Sequence, residues 1–277
     1  MVTVIYHANC WDGFCAAWLL GKEFPGAAFH AAHYGTEPPD VAGRDVYVVD
    51  FSYKRPAMVA LAAAAKSLTV LDHHKTAEED LAGLTEECNR LYGVVPNVVF
   101  KSDRSGGRLA WEYLYGGKES PWLVDYTEDR DLWRWALPHS REVNAALRSY
   151  PLDFGAWDEL SGRDPLSLVP EGAAILRAEA QVVAAHVRNA REVELAGHRV
   201  LCVNATTLFS EVAGELARGR PFGACYFDRG DGVRQWSLRS RDGGVDVSEV
   251  ARAMGGGGHR NAAGFEERAG RLTGGNA

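Results

Sequence analysis

Short runs rich in β-branched residues alternate with helix-like stretches through the first part of the chain. VTVIYH (2–7), DVYVVDF (45–51) and LTVLD (68–72) read as strands, and GAAFHAAH (26–33) as a weaker one. Between them, DGFCAAWLLGKEF (12–24) carries an apolar stripe and reads as a helix. RPAMVALAAAAKS (55–67) reads as another, with Pro56 suited to its first turn. Buried apolar strands separated by helices argue for a parallel sheet covered on both faces. The predicted fold class is therefore α/β.

Beyond residue 76 the pattern turns mostly helical, with candidates at 105–116, 121–135 and 141–150. The longest helical stretch, 171–193, follows Pro170. The βα pattern then returns: strands at 198–205, 223–229 and 233–240, helices at 208–218 and 246–254, and a glycine-rich GGGGHRNAAGF at 255–265. The predicted organisation is a parallel-sheet domain over 1–170, a linker helix over 171–194 and a smaller α/β domain over 195–277. The tail RLTGGNA is expected to fray.

Composition narrows the function classes. The 277 residues are 46% hydrophobic and 24% charged, as in an ordinary globular protein. A net charge of −7 gives no support to a broad basic face for long duplex nucleic acid. No apolar run approaches the ~18 residues of a membrane span, and MVTVIYHANC lacks the basic start of a signal peptide. The five cysteines are scattered and odd in number, which argues against a disulfide framework and for a reducing cytoplasm. Cys10 and Cys15 lack zinc-finger spacing and read as buried thiols.

The ends of the strands carry the chemistry. In open parallel sheets, ligands bind beyond the carboxyl ends of the strands. The first strand ends in His7, followed by Asn9 and Asp12; DVYVVDF contributes Asp50; LTVLD ends in Asp72, followed by His73 and His74. A lone histidine at a strand end is usually a hydrogen-bonded core residue, and a lone aspartate there is usually a helix cap, a role open to Asp12. Their coincidence at neighbouring strand ends shifts the balance, because such a cluster is costly to desolvate without cations. Mixed carboxylate and imidazole ligands suit Mn²⁺, with Fe, Co and Zn as other choices. A carboxylate shared by two ions, for which Asp50 is the candidate, bridges them at ~3.5–4 Å in two-metal hydrolases. His30, His33, His139, His186 and His198 have no such company.

These segments together resemble the DHH phosphoesterase superfamily over nearly the whole chain. YHANCWDGFCAAW is similar to its first motif, VVDF to the second, LDHHKT to the third and DYTEDRDLW to the fourth. SLRS, followed by VDVSEVARAMGGGGHRNAAGF, resembles the glycine-rich signature of the DHH-associated C-terminal domain. The branch it resembles hydrolyses oligoribonucleotides and nucleotide phosphodiesters. The resemblance implies two Mn²⁺ ions, with Mg²⁺ or Co²⁺ as substitutes. Their ligands would be His7, Asn9, Asp12, Asp50, His73 and Asp129, with Asp131 the rival of Asp129 in EDRDLW. His74 would face the scissile phosphate as donor or general acid, and Asp72 would orient a neighbouring imidazole from behind the ligands. One departure stands out: Asn9 occupies the place of an expected carboxylate, at a spacing one residue longer.

In the C-terminal domain, Gly256, Gly257 and Gly258 leave amides unshielded, and a helix is expected just after them. Amides plus a helix N-terminus make an anion site, to which His259, Arg260, Arg239 and Ser240 add donors. Two lobes joined by a helix predict a cleft with metals on one wall and a phosphate clamp on the other. The implied function is metal-dependent hydrolysis of short oligonucleotides or dinucleotides to mononucleotides, with no membrane or long-duplex partner and a homodimer left open. Alternatives are a cyclic-nucleotide or 3′-phosphoadenosine 5′-phosphate phosphoesterase, and a nucleotide sensor without turnover.

Overall fold

The computed structural model describes residues 1–241 and 243–268; the tail expected to fray lies outside them. The chain forms two compact units that divide between Leu176 and Arg177. The first contains β1 (Val2–His7), α1 (Trp11–Glu23), β2 (Ala28–Ala32), β3 (Asp45–Val49), α2 (Arg55–Ala64) and β4 (Ser67–Asp72). It continues through α3 (Lys75–Asp80), α4 (Leu84–Tyr92), β5 (Asn97–Phe100), α5 (Gly106–Tyr115), α6 (Trp122–Asp131), α7 (Ser140–Leu147) and α8 (Phe154–Ser161). The helix α9 (Val169–Arg188) carries the chain from one unit to the next.

The sheet of the first unit is parallel, in the order β2-β1-β3-β4-β5. Successive strand residues serve opposite faces. Val4, Val49 and Leu71 pack with residues of α1, α5, α6 and α7, whereas Ile5, Val48 and Val70 pack with residues of α2 and α4. Each fully buried Val, Leu or Ile contributes roughly 1.5–3 kcal/mol, so both faces have a real driving force. The strand order reverses between β1 and β3, and the crevice beyond such a reversal is where an open sheet takes its ligand.

The second unit is a mixed sheet in the order β10-β11-β9-β8-β7-β6. Its elements are β6 (Arg191–Leu195), β7 (His198–Asn204), α10 (Phe209–Leu216), β8 (Gly223–Asp228), β9 (Val233–Arg239), α11 (Val247–Ala253), β10 (Gly257–His259) and β11 (Ala262–Arg268). Two sequence expectations are corrected here. The long helix stops at Arg188 instead of running to 193, because Ala196 and Gly197 both adopt positive φ and fold Arg191–Leu195 back onto β7 as a hairpin. The glycine run does not lead into a helix: α11 precedes it, and the β10–β11 hairpin follows. A Cβ on Gly256 would collide with the Gly264 carbonyl oxygen, so glycine is required there by close packing rather than by flexibility.

Among the described residues no helix is long and apolar enough to cross a membrane. All five cysteines are free thiols.

Candidate metal centre

β1 delivers His7 to the end of the sheet. The chain then turns sharply, because Asn9 adopts a left-handed conformation (φ 55°), which Asn tolerates better than most residues. That turn leaves Asn9 exposed and sends Cys10 inward, where its Sγ donates to Asp50 Oδ2 at 3.2 Å. Asp12 lies in the first turn of α1 but does not cap that helix. Its two oxygens accept from the amides of Gly106 (2.5 Å) and Gly107 (2.9 Å), at the N-terminus of α5. The unpaired amides and dipole of that helix end hold the carboxylate where the ligands converge.

Asp50 directly follows β3 and is itself left-handed, with φ 52°. Its amide still donates to the Leu71 carbonyl, so the backbone is fixed while the side chain is swung inward. Asp50 Oδ1 lies 3.0 Å from His73 Nε2, and Oδ2 lies 3.6 Å from His7 Nδ1. Oxygens of Asp12 and Asp131 each stand 3.6 Å from the same His73 nitrogen.

Asp72 works from behind. Its Oδ1 accepts from the amides of His73 (2.7 Å) and His74 (3.2 Å) and from His74 Nδ1 (2.7 Å). Ser52 Oγ donates to the other oxygen at 2.7 Å. A carboxylate can only accept, so His74 carries its proton on Nδ1 and its ring orientation is set. The fold thus brings together two triads of ligand atoms, each within 4.8 Å of one another: His7, Asp50 and His74, and Asp12, Asp50 and His73.

The fourth-motif expectation needs correction. Asp129 does not reach the cluster. Its oxygens accept from the amides of Ala136 and Leu137 and from Ser140 Oγ, and its backbone carbonyl accepts from Arg134 and Trp135. It anchors a loop in which Trp133, Trp135 and His139 are all left-handed. Asp131, the last residue of α6, stands at His73 instead, and its buried Oδ2 has no hydrogen-bond partner. Nor does the structure bring Asn9 in; the first-motif side chain touching Asp50 is Cys10.

The electrostatics show what charge the site would accept. Burial raises the Asp12 carboxyl well above its ordinary value, and the charges of Asp50 and Asp131 push it further. Asp131 is raised by burial and by Asp50, against the pull of His73. Burial also opposes charge on Asp50, but His7 and His73 outweigh it and hold Asp50 well below the carboxylate range. Burial opposes protonation of His73, yet Asp50, Asp131 and Asp12 together lift it to about 10. Three carboxylates around one imidazolium, Asp12 and Asp50 buried and Asp131 partly so, form an unbalanced set. A divalent cation displacing the His73 proton balances it, so these residues fit a metal.

Two expectations follow. First, ion binding must release the His73 proton. In calorimetry across buffers of different ionisation enthalpy, the heat should vary with the buffer, and affinity should rise ~10-fold per pH unit for each proton released. A buffer-independent heat would contradict the assignment. The sign for the chelated protein is the same: the raised His73 contributes stability below pH ~6.5 that is lost as pH climbs toward about 10. The chelated protein should therefore melt at lower temperature at alkaline pH, and metal should remove that dependence. Second, a Cβ on Gly106 would lie 3.0 Å from Asp50 Cα and would overlap its Cβ. Gly106→Ala should cost about 1–3 kcal/mol in denaturant unfolding and weaken ion binding, since either Asp50 or α5 must move.

In the second unit, sheet register groups the expected anion-binding residues. Ala262 pairs directly with both Arg239 and His259, so these two side chains share one face, two strands apart. Arg239 donates to Ser210 Oγ at 2.7 Å. Ser240 Oγ donates to the Arg260 carbonyl oxygen (3.3 Å) and to Asn261 Oδ1 (3.2 Å), which ties the β10–β11 turn to the end of β9. Arg260 Nη1 lies 3.8 Å from an Asp246 oxygen. Gly257 and Gly258 belong to β10, and Gly258 has φ 138°.

The parallel sheet with histidine and aspartate at its strand ends, followed by a mixed sheet, is the DHH phosphoesterase fold. A pGpG-specific phosphodiesterase, PggH, from Vibrio cholerae matches with a TM-score of 0.52 at 14% identity, over 96% of this chain and 93% of that one. RecJ from Thermus thermophilus, solved in complex with Mn²⁺, matches with a TM-score of 0.52 at 16% identity, over 95% of this chain and 49% of that one. An exopolyphosphatase-related protein from Bacteroides fragilis matches with a TM-score of 0.50 at 12% identity, over 98% and 87%. In sequence, the uncharacterized protein R106 of Acanthamoeba polyphaga mimivirus is 26% identical over 294 aligned positions, covering 95% of this chain. The chain spans 66% of that relative's length. No protein-family model matches the chain.

Proposed function

We propose that the protein is a metal-dependent phosphodiesterase that hydrolyses dinucleotides and very short oligonucleotides to mononucleotides. The observation that carries this reading is the sharing of Asp50 between two ligand triads. Asp50, His73, Asp12 and Asp131 would hold one divalent ion, and Asp50 with His7 the other, Mn²⁺ being the first candidate for an oxygen- and imidazole-rich set. When bound, such a pair supplies Lewis acidity toward a phosphoryl oxygen and acidifies an attacking water.

The remaining chemistry belongs to the chain. Asp72 fixes His74 through Nδ1, which points the opposite edge of the ring away from its carboxylate. Burial lowers the His74 pKa, but Asp72 raises it by more, so the net shift favours the protonated ring. Such a ring can donate to the phosphate or protonate the leaving oxygen. On the second unit, Arg239 and His259, sharing one sheet face, suit a terminal phosphate. The likeness to PggH, a pGpG-specific phosphodiesterase, supports a linear dinucleotide as the substrate class.

Length dependence is the test. With Mn²⁺, two-, five- and twenty-nucleotide RNAs should be cleaved at rates that fall with length, as a dinucleotide-directed enzyme requires. Equal rates on long and short strands would contradict the short-substrate reading.

A further inference from the structure

We infer that Cys10 is a sulfur ligand of the second ion, which makes the two halves of the centre chemically unequal. The inference rests on the metal-dependent reading above. Asp50 divides its oxygens between two environments. Oδ1 lies 3.0 Å from His73 Nε2, beside which oxygens of Asp12 and Asp131 stand at 3.6 Å. Oδ2 faces the Cys10 sulfur at 3.2 Å and His7 Nδ1 at 3.6 Å. One side is thus three carboxylates and an imidazole; the other is a carboxylate, an imidazole and a thiol.

The plainer reading is a thiol that donates a hydrogen bond to a buried carboxylate. A second observation argues against stopping there. His7 Nδ1 is buried, has no hydrogen-bond partner, and faces the same Asp50 oxygen. The Cys10 sulfur and the His7 nitrogen therefore face the same Asp50 oxygen from two different side chains, and the nitrogen is left unsatisfied there. An ion bound by all three would satisfy it, taking the place of the thiol proton, which leaves to solvent.

The backbone is arranged for this. The left-handed turn at Asn9 leaves that side chain exposed, and Cys10 enters at the start of α1, where its carbonyl accepts from the Phe14 amide. Thiolate ligands favour Zn²⁺, Co²⁺ and Fe²⁺, whereas a carboxylate-rich set suits Mn²⁺ and Mg²⁺. The Cys10 half should select a softer ion than its neighbour, and a mixed pair is the expected resting composition.

Cobalt reports sulfur ligation directly. Chelated wild-type protein titrated with Co²⁺ alone should bind two ions and develop a near-ultraviolet sulfur-to-cobalt charge-transfer band with the second. Cys10→Ser and Cys10→Asp should both lose that band, and Cys10→Asp should still bind two ions, which separates ligand loss from misfolding. Cys15 is the control: a Cβ on Gly107 would meet both its sulfur (2.9 Å) and an Asp12 oxygen (3.1 Å), so it is the other thiol beside the cluster. Cys15→Ser should keep the band. Two bound cobalt ions without the band, or a band that survives Cys10→Ser, would overturn the proposal while leaving the metal reading intact. Failure to bind cobalt at all would overturn both.

Discussion

Asp50→Asn is expected to lower kcat/KM on a dinucleotide roughly 10³-fold or more, about 4 kcal/mol of transition-state stabilisation. The size follows from position. Asp50 is common to two ligand triads, so on the proposed two-ion reading its loss would weaken both ion sites together. Asn is the appropriate replacement because residue 50 has φ 52°. Asn tolerates that conformation, whereas Ala would add about 1 kcal/mol of strain and confuse misfolding with lost chemistry. Steady-state rates in Mn²⁺, with circular dichroism confirming the fold, measure the effect. A variant retaining a tenth of wild-type activity would mean that Asp50 does not join the two ions.

The second large effect separates two neighbours. Asp129→Ala should destabilise the protein by ~2–4 kcal/mol, because one buried carboxylate holds two amides and a serine hydroxyl of the loop after α6. Asp131→Asn should leave the chelated protein as stable as wild type or slightly more so, since it removes one of three mutually repelling carboxylates. Its cost should appear in metal affinity instead, at roughly 100-fold or about 2.7 kcal/mol. Denaturant midpoints and metal titrations on the two variants check both halves. If Asp129→Ala lost metal and kept its stability, the roles given to the pair would be reversed.

The distinction between these two aspartates shows where sequence reasoning stops. EDRDLW places both on α6, and nothing in residue type tells which carboxylate turns toward His73. The answer depends on three left-handed residues in the following loop, two of them tryptophans, which no propensity favours. Asn9 and Cys10 are a related case in which a signal was present. Asn is among the few residues that enter the left-handed region readily, and such a turn carries Asn9 out and Cys10 in. Gly106-Gly107 at the start of a helix is a recognisable anion site. Its anion, however, is the Asp12 carboxylate, 94 residues away along the chain, and only the fold discloses that pairing.

The strand ends were legible for a physical reason. A parallel sheet buries both faces of each strand, so β1, β3 and β4 read as apolar runs whose first polar residues mark the ligand-binding edge. That logic led from VLDHHKT to His73 and His74 beside Asp50. It failed at Arg191–Leu195, where REVEL is as compatible with a helix as with an edge strand and only the Ala196-Gly197 turn decides. It failed again at the glycine run, because glycines that permit a close hairpin and glycines that cradle an anion look alike in sequence.

Crystals of the chelated protein grown with excess Mn²⁺ as the only divalent ion, and measured at a wavelength where manganese scatters anomalously, would test the central claim most directly. The account predicts two anomalous peaks flanking the Asp50 carboxylate, ~3.5–4 Å apart, as expected for a pair sharing one carboxylate. One of them should lie against Asp12, His73 and Asp131. A single peak, or peaks that do not contact Asp50, would contradict it.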